Sequence, residues 1–162
     1  MIESDVQIGK YYLYPSNIFV SVEPYLITTV LGSCISICMF DNKKMIGGIN
    51  HFMLPLWNGE GLASAKYGNV AMERLLSEMI RKGATKENIQ AKMFGGANLV
   101  NLTMNVGERN AETAIRLLNN DNIKLLAQST GGTKGRKIIF DTSTGSVHMR
   151  YIQQTHNLRH KI

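Results

Sequence analysis

Residues 33–54, with the sequence SCISICMFDNKKMIGGINHFML, decide the fold. Residues 33–41 carry Ile35, Ile37 and Met39 at alternate positions, which predicts a β-strand with one apolar face. Residues 41–44 form a polar turn, and residues 45–54 return as a second strand. The stretch therefore predicts a β-hairpin, whose strands lie about 5 Å apart.

Further strands and two helices are predicted around this hairpin. Apolar side chains recur at near-helical spacing over residues 66–82 and 110–119, and both segments are predicted helices. The other predicted strands cover residues 11–22 with an interruption at 15–17, 25–30, 89–94, 123–128, 137–141 and 147–151. Strands in this number with two helices predict a layered α/β sandwich, with a mixed or antiparallel β-sheet core flanked by helices.

The length and composition predict one domain over residues 1–162, with a mobile tail at 152–162. No stretch approaches the roughly 18 apolar residues of a membrane span, and the acidic N-terminus does not resemble a signal peptide. We therefore expect a cytoplasmic protein without membrane insertion. In that compartment Cys34 and Cys38 stay reduced, and their spacing does not predict a metal site.

The net charge of +6 favours an acidic partner through electrostatic steering. The basic residues are scattered, without a long run and without interleaved aromatic side chains. This distribution does not predict binding to nucleic acid.

Cys34 is the first candidate for catalysis. It follows Gly32 and Ser33, where a sharp turn can leave the backbone N–H groups of Ser33 and Cys34 unpaired. Such N–H groups can form an oxyanion hole and favour the reactive thiolate. The alternative is that Cys34 only fills space, because free cysteine is among the most buried residue types. Cys38, inside the apolar strand, is interpreted as core packing.

A nucleophilic cysteine needs a base, and His51 lies on the partner strand of the predicted hairpin. The alternative for His51 is a hydrogen-bonded histidine without a catalytic role. A third group should orient the imidazole ring. Thr28 and Thr29 are both candidates, and strand alternation would point only one of them at the site. The remaining histidines, His148, His156 and His160, lie near the C-terminus.

Several blocks of sequence, in order, carry a family resemblance. They are LGSC at 31–34, GGINHFMLP at 47–55, AKYG at 65–68, AKMFGGA at 91–97 and VGERN at 106–110. With these blocks the chain resembles the CheD family of chemoreceptor glutamine deamidases over about residues 12–151.

The resemblance implies a catalytic set of Cys34, His51 and Thr28, since Thr28 lies six residues before Cys34. It implies a protein-glutamine glutaminase, an amidohydrolase that converts receptor glutamines to glutamate through a cysteine thioester in chemotaxis adaptation. The same thioester would form from a glutamate methyl ester, so a methylesterase side activity is expected. No metal or organic cofactor is needed.

The resemblance also implies two kinds of partner, the methyl-accepting chemoreceptors and a CheC-type phosphatase. Phe94, Gly95 and Gly96 are expected to form a wall of the cleft that such partners occupy. The alternative for Phe94 is a core residue at a strand end. Two other functions stay open, a non-catalytic chemotaxis adaptor and a cysteine peptidase.

Overall fold

A computed structural model describes residues 7–100 and 103–153, and these contain nine β-strands, two α-helices and one short 3₁₀ turn. The strands are β1 Gly9–Tyr12, β2 Ile18–Ser21, β3 Tyr25–Leu31, β4 Ile35–Asp41, β5 Ile46–Asn50, β6 Ile89–Gly95, β7 Lys124–Thr130, β8 Arg136–Asp141 and β9 Val147–Tyr151. The helices are α1 Gly68–Arg81 and α2 Val106–Asn120, and the 3₁₀ turn is Lys86–Asn88.

The predicted hairpin is confirmed. β4 and β5 pair antiparallel, with Cys38 opposite Ile49 and Asp41 opposite Ile46. The Asp41 carboxylate accepts hydrogen bonds from the N–H groups of Lys43 and Lys44, which closes the turn. The predicted strands and helices are all present, with ends that differ by a few residues.

The second helix begins earlier than predicted. The side chain of Asn105 accepts a hydrogen bond of 2.9 Å from the Glu108 N–H, so Asn105 is the N-cap and the first helical residue is Val106. The apolar periodicity alone placed the start at residue 110, because the first turn of α2 contributes little to the apolar stripe.

The strands form two sheets. One has five strands in the order β2-β5-β4-β6-β7, and the other has four in the order β1-β3-β8-β9. Both are mixed, because β1 pairs parallel with β3, and β6 pairs parallel with β7. α1 and α2 pack on one face of the five-stranded sheet, and the four-stranded sheet covers its other face. The predicted layered α/β sandwich is confirmed, with three layers.

Strand β4 lies at the centre of this arrangement and contributes to two cores. Ile35, Ile37 and Met39 pack against the helices. Cys38 points to the opposite face of β4 and packs between the two sheets. Cys34 contacts the same cluster of side chains. Side chains of alternating parity on a strand point to opposite faces. Both faces of β4 are therefore covered, one by the helices and one by the second sheet.

None of the helices in the described residues is long and apolar enough to cross a membrane. The tail predicted to be mobile lies mostly at residues 154–162, outside the described part of the chain.

Two consecutive glycines in β5 let the outer layers approach the central sheet. A Cβ on Gly47 would lie 2.7 Å from the Cα and 2.8 Å from the carbonyl oxygen of Thr142, in the loop after β8. A Cβ on Gly48 would meet the ends of the Met79, Val20 and Leu75 side chains at 2.8 to 2.9 Å. The first contact is with backbone, which cannot rotate away, whereas the second is with flexible side chains.

We predict that Gly47→Ala lowers the free energy of unfolding by about 3 kcal/mol, the upper end of the usual cost of overpacking. Gly48→Ala, the matched control, should cost about 1 kcal/mol because its neighbours can change rotamer. Urea denaturation of the two variants measures the difference. An equal loss in both, or a larger loss for Gly48→Ala, would contradict this account of the layers.

Candidate active site

Cys34 lies in the turn that joins β3 to β4, and the backbone around it is held from one side. Gly96 N–H donates to the Cys34 carbonyl at 2.9 Å, and Ala97 N–H donates to the Gly32 carbonyl at 3.0 Å. Gly95 adopts a φ of +115°, and a Cβ at this position would lie 2.1 Å from the Cys34 carbonyl oxygen. Only glycine fits there. Gly95 and Gly96 therefore lie directly behind the candidate nucleophile.

His51 follows the last residue of β5, and the register of the hairpin places it near Cys34. A bridge between Ile35 and Phe52, with N–H to carbonyl distances of 3.0 and 2.9 Å, continues the pairing of β4 and β5 past the strand ends. In this register Ser36 lies opposite His51, and Cys34 is its diagonal neighbour on the same face. Diagonal neighbours lie about 7–8 Å apart at the backbone, within reach of long side chains.

The threonine beside His51 is Thr29, not Thr28. The Thr29 Oγ1 lies 2.8 Å from His51 Nδ1, and both side chains are buried. Thr28 points to the other side of the same sheet, where it lines a surface cleft with Tyr12 and Ile139. The prediction that Thr28 orients His51 is therefore wrong by one position along β3, because the neighbouring Thr29 makes the contact. On β3 the side chains that face the interior are those of Ile27, Thr29 and Leu31.

The hydrogen bonds of Thr29 determine the tautomer of His51. Thr29 Oγ1 also lies 2.7 Å from the Leu13 carbonyl oxygen, which can only accept a hydrogen bond. The hydroxyl proton is therefore directed at Leu13, and Oγ1 accepts from His51 Nδ1–H. The Nε2 atom then carries the lone pair. It is buried and has no hydrogen-bond partner among the described residues.

Burial makes the site electrically neutral at rest. Loss of hydration lowers the pKa of His51 to about 4, so the imidazole is uncharged near neutral pH. Burial also raises the pKa of the Cys34 thiol, and the residue's own N–H offsets part of this effect. At rest the site therefore holds a neutral thiol and a neutral imidazole, rather than a preformed thiolate–imidazolium pair.

The turn before β4 offers two hydrogen-bond donors for a developing negative charge. Within residues 7–100 and 103–153, no protein acceptor takes the backbone N–H of Ser33 or Cys34. The N–H of Cys34 lies close enough to its own sulfur to lower the pKa of the thiol. The predicted donors of an oxyanion hole thus lie next to the Cys34 thiol, and neither is taken by an acceptor of another residue among those described.

Phe94 does not lie where it was expected. Its side chain is 7% exposed and packs in the cluster between the two sheets, with Leu31 and Ile138. Phe94 is therefore a core residue rather than a wall of the cleft. It lies opposite Ser36 in the β4–β6 pairing, so both side chains point to the face of the sheet that the four-stranded sheet covers. Of the other histidines, His148 is exposed on β9, and His156 and His160 lie outside the described residues.

The exposed wall of the site comes from the loop between β6 and α2. A groove of about 240 Å³ extends from Ser33 along Leu99, Val100 and Met104. These three side chains are 45%, 70% and 72% exposed, respectively. An exposed apolar patch of this kind is typical of a surface that contacts another protein.

The structure brings to the site Thr29, which was one of the two candidate threonines but was not chosen, and Asn110, which was not a candidate. Thr29 lies at alternate positions with the apolar Ile27 and Leu31, so its side chain points to the same, interior face of β3. This alternation is visible in the sequence and could have selected Thr29. Asn110 occupies the apolar stripe of α2, four residues before Ala114, and an amide in that stripe is the kind of buried polar group that needs partners. Its side chain reaches the backbone on both sides of the site.

Comparison with known proteins identifies the family. The family model described as CheD chemotactic sensory transduction matches residues 53–151. The chain belongs to the CheD family. A CheD relative from Sulfurimonas denitrificans, named "Probable chemoreceptor glutamine deamidase CheD", is 45% identical over 150 residues, which cover 90% of this chain and 96% of the relative. A relative of the same name from Trichlorobacter lovleyi is 52% identical over 143 residues, covering 86% and 89%.

The neutral resting site of this CheD-family chain predicts the pH dependence of Cys34 alkylation. The raised thiol pKa means that the thiolate forms only as the pH rises, so the iodoacetamide rate should climb steadily above about pH 8, with no plateau below about pH 7. Mass spectrometry of the Cys34 peptide measures this rate. Cys38, only 2% exposed, serves as the internal control and should stay unmodified.

A reactive plateau at acidic pH that disappears in His51→Ala would contradict the neutral pair. It would show that a thiolate–imidazolium pair exists at rest.

Proposed function

We propose that this chain is a glutamine deamidase of methyl-accepting chemoreceptors, with Cys34 as nucleophile, His51 as base and Thr29 as the residue that orients the base. The observation that carries the proposal is the hydrogen-bonded chain from Leu13 through Thr29 to His51, which leaves Nε2 unpaired on the face that holds Cys34. The family membership and the names of the relatives support the substrate class.

The first half of the reaction is acylation. His51 Nε2 accepts the proton of the Cys34 thiol as the sulfur attacks the side-chain amide carbon of glutamine, and the C–S bond forms. The carbonyl oxygen becomes an oxyanion, which the N–H groups of Ser33 and Cys34 stabilise. Loss of one such donor typically lowers the rate by about 100- to 1000-fold. The C–N bond then breaks, Nε2–H protonates the leaving nitrogen, and ammonia departs from a thioester.

The second half is hydrolysis of the thioester. His51 Nε2 takes a proton from water as the water oxygen attacks the thioester carbon. The C–S bond breaks, the sulfur recovers the proton from Nε2–H, and the product is glutamate. A glutamate methyl ester would follow the same route with methanol as the leaving group. The chemistry therefore extends to the methylesterase side activity.

A neutral cysteine–histidine pair suits this sequence of steps. Nε2 must be unprotonated to accept the thiol proton, and this form is present above the His51 pKa of about 4 and lost as the pH falls through it. Thr29 helps by position rather than by charge, because a hydroxyl stabilises an imidazolium less than a carboxylate does. The proton must accordingly move during the attack and not before it.

The surface around the site is suited to a protein substrate. The exposed apolar groove at Leu99, Val100 and Met104 lies beside the turn that carries Cys34, and an apolar rim of this kind can receive one face of a receptor helix. The net charge of +6 favours approach to acidic helices. The same groove is where we place a CheC-type phosphatase, which would then compete with the receptor.

We place the enzyme in the cytoplasm, since both cysteines are free thiols and the chemistry requires a reduced Cys34. The non-catalytic adaptor differs from the enzyme in one respect that can be measured. An adaptor would bind receptors without changing their glutamines, and loss of Cys34 would leave its action intact.

We predict that Cys34→Ala abolishes receptor deamidation, while Cys38→Ala retains most of it. Coexpression with a chemoreceptor, followed by mass spectrometry of receptor peptides, detects each conversion of an amide to an acid. Cys38 is the matched control because it lies on β4, four residues after Cys34, with its side chain on the same face of the sheet, but it is fully packed between the sheets. Equal losses in two folded variants, or modification that persists without Cys34, would refute the assignment.

We predict that Thr29→Val lowers kcat for deamidation by about 100-fold, at the lower end of what general acid–base catalysis contributes. Valine keeps the shape of threonine but leaves Nδ1–H of His51 and the Leu13 carbonyl without their shared partner. Thr28→Val is the matched control on the opposite face of β3, and its kcat should stay close to that of the unchanged protein. If Thr28→Val has the larger effect in folded protein, the structural assignment of the orienting residue is wrong.

A further inference from the structure

Asn110 connects the helical layer to both strands that carry the site. It lies on α2, and its side chain is completely buried. The Nδ2 group donates to the Ser33 carbonyl at 2.9 Å and to the Met53 carbonyl at 3.0 Å. Ser33 precedes Cys34, and Met53 lies two residues after His51. One amide group therefore bridges the backbone next to the nucleophile and the backbone next to the base.

The orientation of this amide follows from its partners. Both are carbonyl oxygens, which only accept hydrogen bonds, so the NH₂ end must face them. The Oδ1 atom is then left buried without a partner among the described residues. A buried, unsatisfied acceptor destabilises the folded state. The bridging contact thus comes with a stability penalty, which indicates a role other than packing.

With the contact to Ser33, all three carbonyl groups of the turn at residues 32–34 accept a hydrogen bond. The carbonyls of Gly32 and Cys34 accept from the backbone N–H groups of Ala97 and Gly96. The carbonyl of Ser33, between them, is the one that a side chain holds. In a trans peptide the C=O and N–H bonds point in opposite directions. Holding the Ser33 carbonyl toward α2 therefore turns the N–H of Cys34 away from the helix and toward the sulfur.

We propose that Asn110 is a positioning residue that locks the Ser33–Cys34 peptide so that the Cys34 N–H faces the reacting sulfur and the oxyanion, while its second hydrogen bond holds the segment after His51 in register. The proposal rests on the proposed deamidase function for its kinetic consequence. Its geometric part concerns only the peptide before Cys34.

The test compares Asn110→Leu with Leu118→Val. Leucine has nearly the shape of asparagine and removes the unsatisfied Oδ1, so the variant should fold, yet it leaves the Ser33 and Met53 carbonyls unbridged. Leu118, 1% exposed and two turns further along α2, is the matched control. Its substitution by valine weakens the packing of the helix without contact to either carbonyl. Asn110→Ala serves as a second variant should leucine not be accommodated.

Two measurements on each folded variant decide the matter. The first is kcat and KM for deamidation of a receptor, where Asn110→Leu should lower kcat by about 100-fold, as for loss of one oxyanion donor, with KM little changed. The second is the rate of Cys34 alkylation by iodoacetamide against pH. This rate should fall by about tenfold at a given pH, which corresponds to a thiol pKa about one unit higher. Leu118→Val should change neither quantity.

The proposal is overturned if Asn110→Leu keeps both the kcat and the alkylation profile of the unchanged protein, or if Leu118→Val loses as much kcat as Asn110→Leu. A lower kcat with an unchanged alkylation profile would also overturn it, because the Ser33–Cys34 peptide would not have moved. An unchanged protein that deamidates no receptor would refute the proposed function, and the alkylation profile would then decide on Asn110 alone.

Discussion

Burial of strand β4 on both faces is the constraint on which the rest of the structure depends. Every side chain from Ile35 to Met39 is buried, so the strand needs a covering layer on each side. The helices supply one and the four-stranded sheet the other. Successive side chains of the strand point to opposite faces. The two covering layers therefore also determine which side chains lie in the space between the sheets. Cys34 belongs to that set, at the point where the strand begins and the interior meets the surface.

The site follows from polar groups placed at the edge of an apolar interior. His51 enters it with one ring nitrogen satisfied by Thr29, which is in turn satisfied by Leu13. In a low-dielectric environment each hydrogen bond in this series is strong, and a polar group without a partner is costly. The chain ends at an unpaired Nε2, and the buried surroundings keep the ring uncharged. Near neutral pH the buried imidazole is therefore unprotonated, and Nε2 keeps its lone pair.

The backbone near Cys34 is held by hydrogen bonds to three consecutive carbonyl groups. Its three consecutive carbonyls at residues 32–34 are all engaged from the β6–α2 side, two by backbone N–H groups and one by the amide of Asn110. Because the C=O and N–H bonds of a trans peptide point in opposite directions, the N–H of Cys34 points away from Asn110. Gly95 permits the close approach that this arrangement needs. Rigid donors of this kind stabilise a developing charge without reorganisation during the reaction.

The sequence by itself determined the strands, the two helices and the β4–β5 hairpin, because each depends on local periodicity and on a polar turn. It also predicted that Cys34 and His51 lie at the same end of this hairpin, since a hairpin aligns residues by register alone. The tertiary structure decided between Thr28 and Thr29, because an alternating strand has two faces and only the packing of the second sheet makes one of them interior. It placed Phe94 in the core for the same reason. It also gave Asn110 its role, since the contacts of that side chain join residues far apart in the chain, and no local pattern specifies which carbonyls a buried amide will reach.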